Sequence, residues 1–241
     1  MRQVVTFLSD FGSRDAYVAQ VKAVILSGFP DCTIVDVTHD VPAYGILSAA
    51  WLLSTTYAHF PKGTIHLAVV DPGVGTDRAI LLLRKHDHIF IGPDNGLFSF
   101  LLPAQEVSTV TWRPADKIST TFHGRDLFAP LVVKALKNPS LETITRQKHT
   151  PFCLDILTPQ VVHVDTFGNI ITNIPCDRLD PGCEIVINGK AVTRIVTTFS
   201  EILPGETALY CGSASTVEVA SCRDSAAEQL GAKVGMQVLI R

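Results

Sequence analysis

The pattern of apolar residues changes once along this chain, near residue 150, and that change constrains the fold more than any other feature. Before it, β-branched runs alternate with stretches whose apolar residues recur at helical spacing. Val4–Leu8, Thr33–Val37 and Thr64–Val70 have the pattern of strands, and residues 15–29 and 44–60 have that of helices. Strands that alternate with helices are typical of a mainly parallel sheet covered by helices.

After residue 150 the helical pattern disappears until the short Ser225–Leu230 stretch, and short β-branched runs replace it. Between two of these runs, Asn188-Gly189 predicts a type I′ hairpin. The sequence therefore predicts an α/β protein with an N-terminal domain, residues 1–150, whose mainly parallel sheet is covered by helices. An antiparallel β-barrel-like domain, residues 151–241, follows it.

Composition excludes several classes of function. Of the 241 residues, 46% are hydrophobic, which is enough for a sizeable core. The net charge is −3 and no Lys/Arg run occurs, so we expect no nucleic-acid partner. No apolar run approaches the length of about 18 residues that a membrane helix needs. The first residues lack the layout of a signal peptide, and a cytoplasmic protein is predicted.

The cysteines form no C-x-x-C pair, which argues against a zinc site. In a cytoplasmic protein we expect them to be mostly reduced and buried. They are Cys32, Cys153, Cys176, Cys183, Cys211 and Cys222.

Polar residues collect at the ends of the predicted strands. In a parallel sheet these ends share one edge, so the loops that follow them converge there and form a site. A further polar segment directly precedes the predicted helix Asp126–Lys137, in which Asp126 fits the N-cap position. These segments are Ser9–Gly12, Thr38–Asp40, Asp71, Gly92–Gly96 and Phe122–Asp126.

The loop from Asp71 to Arg78 is the most distinctive of them. An apolar strand stops on an acid, a Pro/Gly loop follows, and the loop ends on an arginine. A carboxylate at the mouth of a buried strand, with a guanidinium close by, can bind and polarise a small molecule. The alternative is a surface turn with an incidental ion pair.

One chemical interpretation of these loops is metal-dependent hydrolysis, because carboxylates and imidazoles are common metal ligands. No tight ligand pair such as H-x-H or D-x-D supports it, and His39 and His123 taken singly are typical of histidines with ordinary structural partners. The candidate ligands are Asp10, His39, Asp71, Asp94 and His123.

Taken together, the motifs resemble those of the S-adenosyl-L-methionine (SAM) hydroxide adenosyltransferases, relatives of the SAM-dependent fluorinase and chlorinase. The resemblance covers nearly the whole chain, in order and with the family's spacing. The motifs are Phe7–Gly12, Asp36–His39, Val70–Gly75, Gly92–Gly96, Thr121–Asp126 and Asp165–Ile174.

This resemblance implies conversion of SAM and water to adenosine and L-methionine, with no metal and no other cofactor. It also implies a homotrimer whose sites lie between the N-terminal domain of one subunit and the C-terminal domain of the next. By motif, the catalytic residues are Asp71, Arg78 and His123. Arg78 is permanently charged and favours an anion, Asp71 can accept a hydrogen bond from water, and His123 can take a proton or orient a group.

Residues for substrate binding follow from the same resemblance. Asp10 matches the acid that binds the ribose hydroxyls, and its two oxygens suit a cis-diol. Asp165 and Asn169 match the pair that receives the methionine amino end. Ser213 matches a residue near the methionine carboxylate, although Ala214 stands where the halogenases have an arginine.

Three further residues are candidates for the adenine end of the substrate. Phe199 and Tyr44 can stack on the base, although Phe199 has an alternative interpretation as an ordinary core aromatic. The backbone near Arg223 aligns with a segment that recognises adenine, and the Arg223 side chain need not take part.

Two other functions are weighed against hydrolysis. Halogenases have a tyrosine where Asp71 stands and an extra loop in the N-terminal domain, and an aspartate would repel a halide. A SAM or adenosine sensor without turnover would keep Asp10, Asp165 and Asn169. It would have no need for the catalytic trio, whose presence favours an enzyme.

Overall fold

The computed structural model describes residues 2–241. The chain divides into two compact units, the first ending at Leu154 and the second spanning Asp155–Arg241.

The first unit is built on one sheet with the strand order β2-β1-β3-β5-β4-β6-β7. Strands β2, β1, β3 and β5 are mutually parallel, and β4, β6 and β7 continue the sheet with antiparallel pairing. Its elements are β1 (Gln3–Ser9), α1 (Tyr17–Gly28), β2 (Cys32–Thr38), α2 (Ile46–Thr56), β3 (Ile65–Val69), β4 (Ile80–Lys85), β5 (His88–Pro93), β6 (Glu106–Val110), α3 (Ala129–Lys137) and β7 (Arg146–Lys148).

Helices cover both faces of this sheet, as the alternating pattern predicts. Val5 and Phe7 of β1 pack with α1 and α3, whereas Leu8 faces the opposite side, where α2 lies. Because both faces are buried, the central strands are apolar along almost their whole length. Polar side chains that reach solvent are therefore concentrated at the strand ends.

The antiparallel part of the sheet follows from a turn that the sequence pattern does not signal. Lys85 of β4 pairs with His88 of β5 across the two residues His86 and Asp87, whose φ angles are 48° and 66°. Two positive φ angles define a type I′ turn, and a connection of two residues permits only antiparallel pairing.

The start of the third helix differs from the prediction. Residues Gly124–Phe128 form a single π-helical turn, and α3 begins after it. Asp126 is therefore not the N-cap. Its carboxylate accepts a hydrogen bond from the backbone N–H of Ser119 at 2.9 Å and pairs with Arg125.

The second unit contains two antiparallel sheets, with the orders β12-β13-β9-β8 and β11-β10-β14. Its elements are β8 (Val161–Val164), β9 (Ile170–Pro175), β10 (Ile185–Ile187), β11 (Lys190–Val192), β12 (Thr207–Cys211), β13 (Thr216–Ser221), α4 (Ala226–Leu230) and β14 (Val238–Ile240).

Backbone bridges join the edges of these two sheets. Gln160 and Gln237 link the β8 edge to the β14 edge, and Ile195 pairs with Leu209 of β12 beyond the end of β11. The hairpin at Asn188-Gly189 has positive φ at both residues, as a type I′ turn requires. The predicted α/β fold with an antiparallel, barrel-like second part is thus confirmed.

The expectation that the cysteines are reduced and buried is partly wrong. Cys176 and Cys211 form a disulfide with a Cα–Cα distance of 5.5 Å. Of the free cysteines, Cys32 and Cys183 are buried, while Cys153 is exposed. The two cysteines are 35 residues apart, so no local sequence pattern predicts the bond. They meet because β9 and β12 both flank β13 in the sheet.

A buried polar chain inside the first unit was not predicted. Thr6 Oγ1 lies 2.7 Å from His66 Nδ1, and His66 Nε2 lies 3.0 Å from His88 Nδ1. His66 is fully buried and stacks on Phe90 at 4.8 Å. Burial lowers the pKa of His66 to about 3, and it also lowers the pKa of His88.

These histidines should make the protein sensitive to acid. Below pH 6.5 the unfolded chain binds a proton at His66 that the folded chain does not, so the free energy of unfolding falls as the pH drops. The expected slope from His66 is about 1.4 kcal/mol per pH unit between its unfolded and folded pKa values. Urea unfolding at pH 7.5 and pH 5 measures it. His66→Phe should flatten this dependence, and an unchanged slope would contradict the assignment.

Candidate active site

The loop after β3 holds Asp71 in a tight turn. The carbonyl of Asp71 accepts a hydrogen bond from the N–H of Val74 at 3.2 Å. Gly75 has a φ of +82°, and a Cβ there would lie 2.4 Å from the carbonyl oxygen of Thr120. Only glycine permits this approach, which brings the loop against the segment that leads to His123.

The guanidinium of Arg78 makes a bidentate contact with the Asp71 carboxylate. Nε of Arg78 lies 2.7 Å from Oδ1 and 2.9 Å from Oδ2, and Nη2 makes a further contact with Oδ2. The two side chains are 4% and 10% exposed for Asp71 and Arg78. The incidental surface pair is thereby excluded, since this is a bidentate, largely buried ion pair.

His123 completes the cluster. Its Nδ1 lies 2.9 Å from Nη2 of Arg78, and a guanidinium can only donate, so Nδ1 accepts. The ring proton of the neutral imidazole is then on Nε2. Burial, and after it the charge of Arg78, lowers the pKa of His123 below its usual 6.5. The geometry therefore favours a neutral ring that donates from Nε2.

A cavity of about 280 Å³ opens beside this cluster. Asp10 lies on its wall, and Oδ2 of Asp10 accepts a hydrogen bond from the backbone N–H of Tyr44 at 3.0 Å. Tyr44 has a φ of 65°, an unusual conformation for a bulky residue and one often found at functional sites. The lining includes Asp10, Phe11, Tyr17, Tyr44, Asp71, Phe122 and His123.

In the second unit, Asp165 and Asn169 form one hydrogen-bonded turn before β9. Oδ1 of Asp165 accepts the backbone N–H groups of Phe167 and Asn169, both at 2.9 Å, and Oδ2 accepts from Nδ2 of Asn169 at 2.8 Å. The turn fixes both side chains.

A second cavity, of about 580 Å³, lies beside that turn. Phe199 on its wall is 59% exposed, so its interpretation as a core aromatic is wrong. Arg223 is exposed there with a φ of 55°, again in the left-handed region. The lining consists of Phe167, Asn169, Phe199, Ser221, Arg223, Asp224 and Ser225.

Ser213 is exposed in the turn after β12 and is not among the residues that line this cavity. Below the turn, the Tyr210 hydroxyl donates to Glu218, and a Cβ on Gly212 would overlap the Glu218 carboxylate. Burial raises the pKa of Glu218. This pair was not predicted. Its only signal in the sequence is Glu218 itself, a polar residue between Val217 and Val219 in a largely apolar strand.

Comparison with known proteins settles the family. Residues 5–145 match the SAM hydroxide adenosyltransferase N-terminal domain, and residues 159–239 match the C-terminal domain. The chain belongs to this family. The solved structures agree, since an uncharacterized conserved protein from Thermotoga maritima superimposes with a TM-score of 0.89 at 31% identity, covering 98% of this chain and 99% of that one.

Several curated relatives of this chain have named activities. A protein of Thermus thermophilus named (R)-S-adenosyl-L-methionine hydrolase is 38% identical, covering 97% of this chain and 98% of its own length. One of the same name from Salinispora tropica is 33% identical, covering 96% and 95%. A fluorinase of Actinopolyspora mzabensis is 26% identical, covering 99% and 97%.

The contacts of Asp94 and His39 do not support the hypothesis of metal-dependent hydrolysis. Asp94 is occupied by His149 Nε2 at 2.7 Å and by the N–H of Phe152 at 2.8 Å. His39 contacts Ser9 and Asp36. Among residues 2–241, no three His, Cys, Asp or Glu side chains are grouped so as to hold a metal ion.

In the same residues, no helix is long and apolar enough to cross a membrane.

Arg78 should control the protonation of His123. In Arg78→Gln the cationic neighbour is lost while Asp71 stays, so the pKa of His123 should rise. An NMR titration of the imidazole measures the change. Arg84→Gln, a variant on β4 with no contact to His123, is the control. An unchanged His123 pKa in Arg78→Gln would contradict the described electrostatics.

Proposed function

We propose that this protein hydrolyses SAM at C5′ of the ribose and releases adenosine and L-methionine. The names of the curated relatives support this reaction. The observation that carries it is the direct contact of Asp71, Arg78 and His123 beside the cavity that Asp10 also lines. An adenosine sensor would have no use for that trio.

The reaction is an in-line displacement. A water oxygen forms a bond to C5′ while the C5′–S⁺ bond breaks, and its electron pair leaves with sulfur as the neutral thioether of methionine. The water gives up its proton to the Asp71 carboxylate, which then releases it to solvent, so the products are adenosine, methionine and H⁺. Attack by an anionic oxygen on a sulfonium merges opposite charges, which a site that excludes water favours.

The hydrogen bonds support the proposed catalytic roles. Arg78 neutralises Asp71, and both carboxylate oxygens keep lone pairs that can accept a hydrogen bond from the attacking water. The guanidinium stabilises the developing hydroxide. His123, with its proton on Nε2, orients the nucleophile instead of removing its proton. Correct positioning can supply about 7–11 kcal/mol of the barrier reduction.

The substrate-binding roles remain those that the resemblance implies. Asp10 has one oxygen engaged by Tyr44, which leaves the other for the ribose diol. In the second unit, Asp165 and Asn169 would receive the methionine amino end. Phe199 would stack on adenine, which its exposure beside the cavity permits.

Three finer features also belong to the proposal. The relatives are named for the R sulfonium, and we propose the same epimer here. We propose a homotrimer in which the N-terminal residues of one subunit and the C-terminal residues of the next share each site. We place the enzyme in the cytoplasm, where SAM is available.

Loss of the Asp71 charge should abolish turnover and spare binding. We expect Asp71→Asn to lower kcat at least about 100-fold, because the base that orients water is lost. Asp77→Asn, an exposed acid in the same loop, is the control. Chromatography of SAM incubated with each variant and EDTA measures adenosine and methionine. In water enriched in oxygen-18, the label should appear in the adenosine.

The outcomes separate the candidate functions. Equal amounts of the two products in EDTA support hydrolysis. Unchanged SAM together with measurable binding would identify a sensor, and loss of activity in EDTA would identify a metal-dependent hydrolase.

Sites shared between subunits should allow two inactive variants to complement each other. When equal amounts of Asp71→Asn and Asp165→Asn chains assemble at random into trimers, about one quarter of all sites pair two intact halves. After unfolding and refolding together, the mixture should regain that share of the activity. Sites formed within single subunits would give no recovery.

A further inference from the structure

A buried chain of polar groups lies behind Asp10. Oγ of Ser9 is 2.7 Å from Nδ1 of His39, and Ser9 is fully buried. Nε2 of His39 lies 3.0 Å from Oδ1 of Asp36, in electrostatic contact but without the alignment of a good hydrogen bond. Lys22 holds the other oxygen of Asp36 at 2.5 Å.

Serine, histidine and aspartate in this order resemble a hydrolytic triad, but the geometry excludes that role. A nucleophilic serine must reach a substrate, and Ser9 has no accessible surface. Its oxygen also accepts a long hydrogen bond, 3.4 Å, from the N–H of Phe11. Because a carboxylate can only accept, the neutral His39 ring places its proton on Nε2, on the side of Asp36, and Nδ1 accepts from the Ser9 hydroxyl.

This chain fixes the turn that carries Asp10 at both of its ends. The side chain of His39 contacts Ser9, directly before Asp10, and its carbonyl accepts the N–H of Gly12 at 2.8 Å. The His39 ring also packs edge-on against Phe7 at 4.6 Å. A single residue thus sets the position of the turn through its side chain and its backbone.

We infer that His39 is a positioning residue for the nucleoside: it holds the Ser9–Gly12 turn so that the Asp10 carboxylate meets the ribose hydroxyls. This inference rests on the proposed function, in which Asp10 binds the ribose. Groups that hold a binding side chain in its working rotamer commonly control affinity without touching the ligand.

The test compares adenosine with 2′,3′-dideoxyadenosine, which lacks the diol. The wild-type protein should bind adenosine more tightly, and titration calorimetry gives the ratio of the two Kd values. His39→Ala should weaken adenosine binding about tenfold and leave dideoxyadenosine binding almost unchanged. The Kd values of the two ligands should therefore become more similar. General damage to the fold would weaken both ligands alike. KM for SAM should rise with kcat nearly unchanged.

Two further variants keep the test decisive. In His39→Asn the side-chain amide oxygen can take the place of Nδ1 and accept from Ser9, so most of the ratio should return. Ser9→Ala should reproduce the loss if His39→Ala does not fold. His149→Ala, which removes a histidine hydrogen-bonded to Asp94 in the same unit, is the matched control and should leave the ratio unchanged.

Asp10→Ala separates the proposed role of Asp10 in binding the ribose from the positioning role of His39. If Asp10→Ala leaves the ratio unchanged, the proposed role of Asp10 is wrong. If Asp10→Ala abolishes the ratio while folded His39→Ala and Ser9→Ala keep it, the positioning role of His39 is overturned.

Discussion

Burial of both faces of the central parallel strands is the constraint on which the first unit depends. Val5, Phe7 and Leu8 of β1 are buried, and the polar side chain between them, Thr6, is closed off from solvent beside His66. Groups that meet a ligand must therefore stand where a strand ends. Asp10 and Asp71 occupy such positions after β1 and β3, and the same cavity reaches both.

A buried carboxylate at a strand end is costly unless a cation compensates it. Arg78 supplies that compensation through Nε and Nη2, and the second N–H of Nη2 donates to Nδ1 of His123, which leaves the ring proton on Nε2. One guanidinium thus pairs with the acid and fixes the tautomer of the imidazole. The division of labour proposed for hydrolysis follows from this single side chain.

The second unit presents its candidate residues in a different way. Its short antiparallel strands surround an apolar core, and a smaller apolar cluster covers the opposite face of β12 and β13, formed by Val196, Ile202, Ala208, Tyr210 and Ala220. The ring of Phe199 packs edge-on against that of Tyr210, with 4.9 Å between centroids. The Asp165 carboxylate holds the side chain of Asn169, four residues further along. Half-buried Glu218 below the Gly212 turn adds an acid that the family motifs do not reveal.

The sequence by itself determined the features that depend on neighbouring residues. The apolar period predicts most helices and strands, Asn188-Gly189 predicts its hairpin, and the ordered motifs identify the family. The loops at the strand ends could also be predicted, because parallel strands share an edge.

Only the tertiary structure decided which distant groups meet. Asp126 binds Ser119 instead of capping α3, Asp94 is taken by His149, and Cys176 finds Cys211. The pairing of His39 with Ser9 likewise depends on the register of β1 and β2. Each of these contacts joins side chains whose separation is set by the packing of whole elements, and no local pattern of residues encodes such a distance.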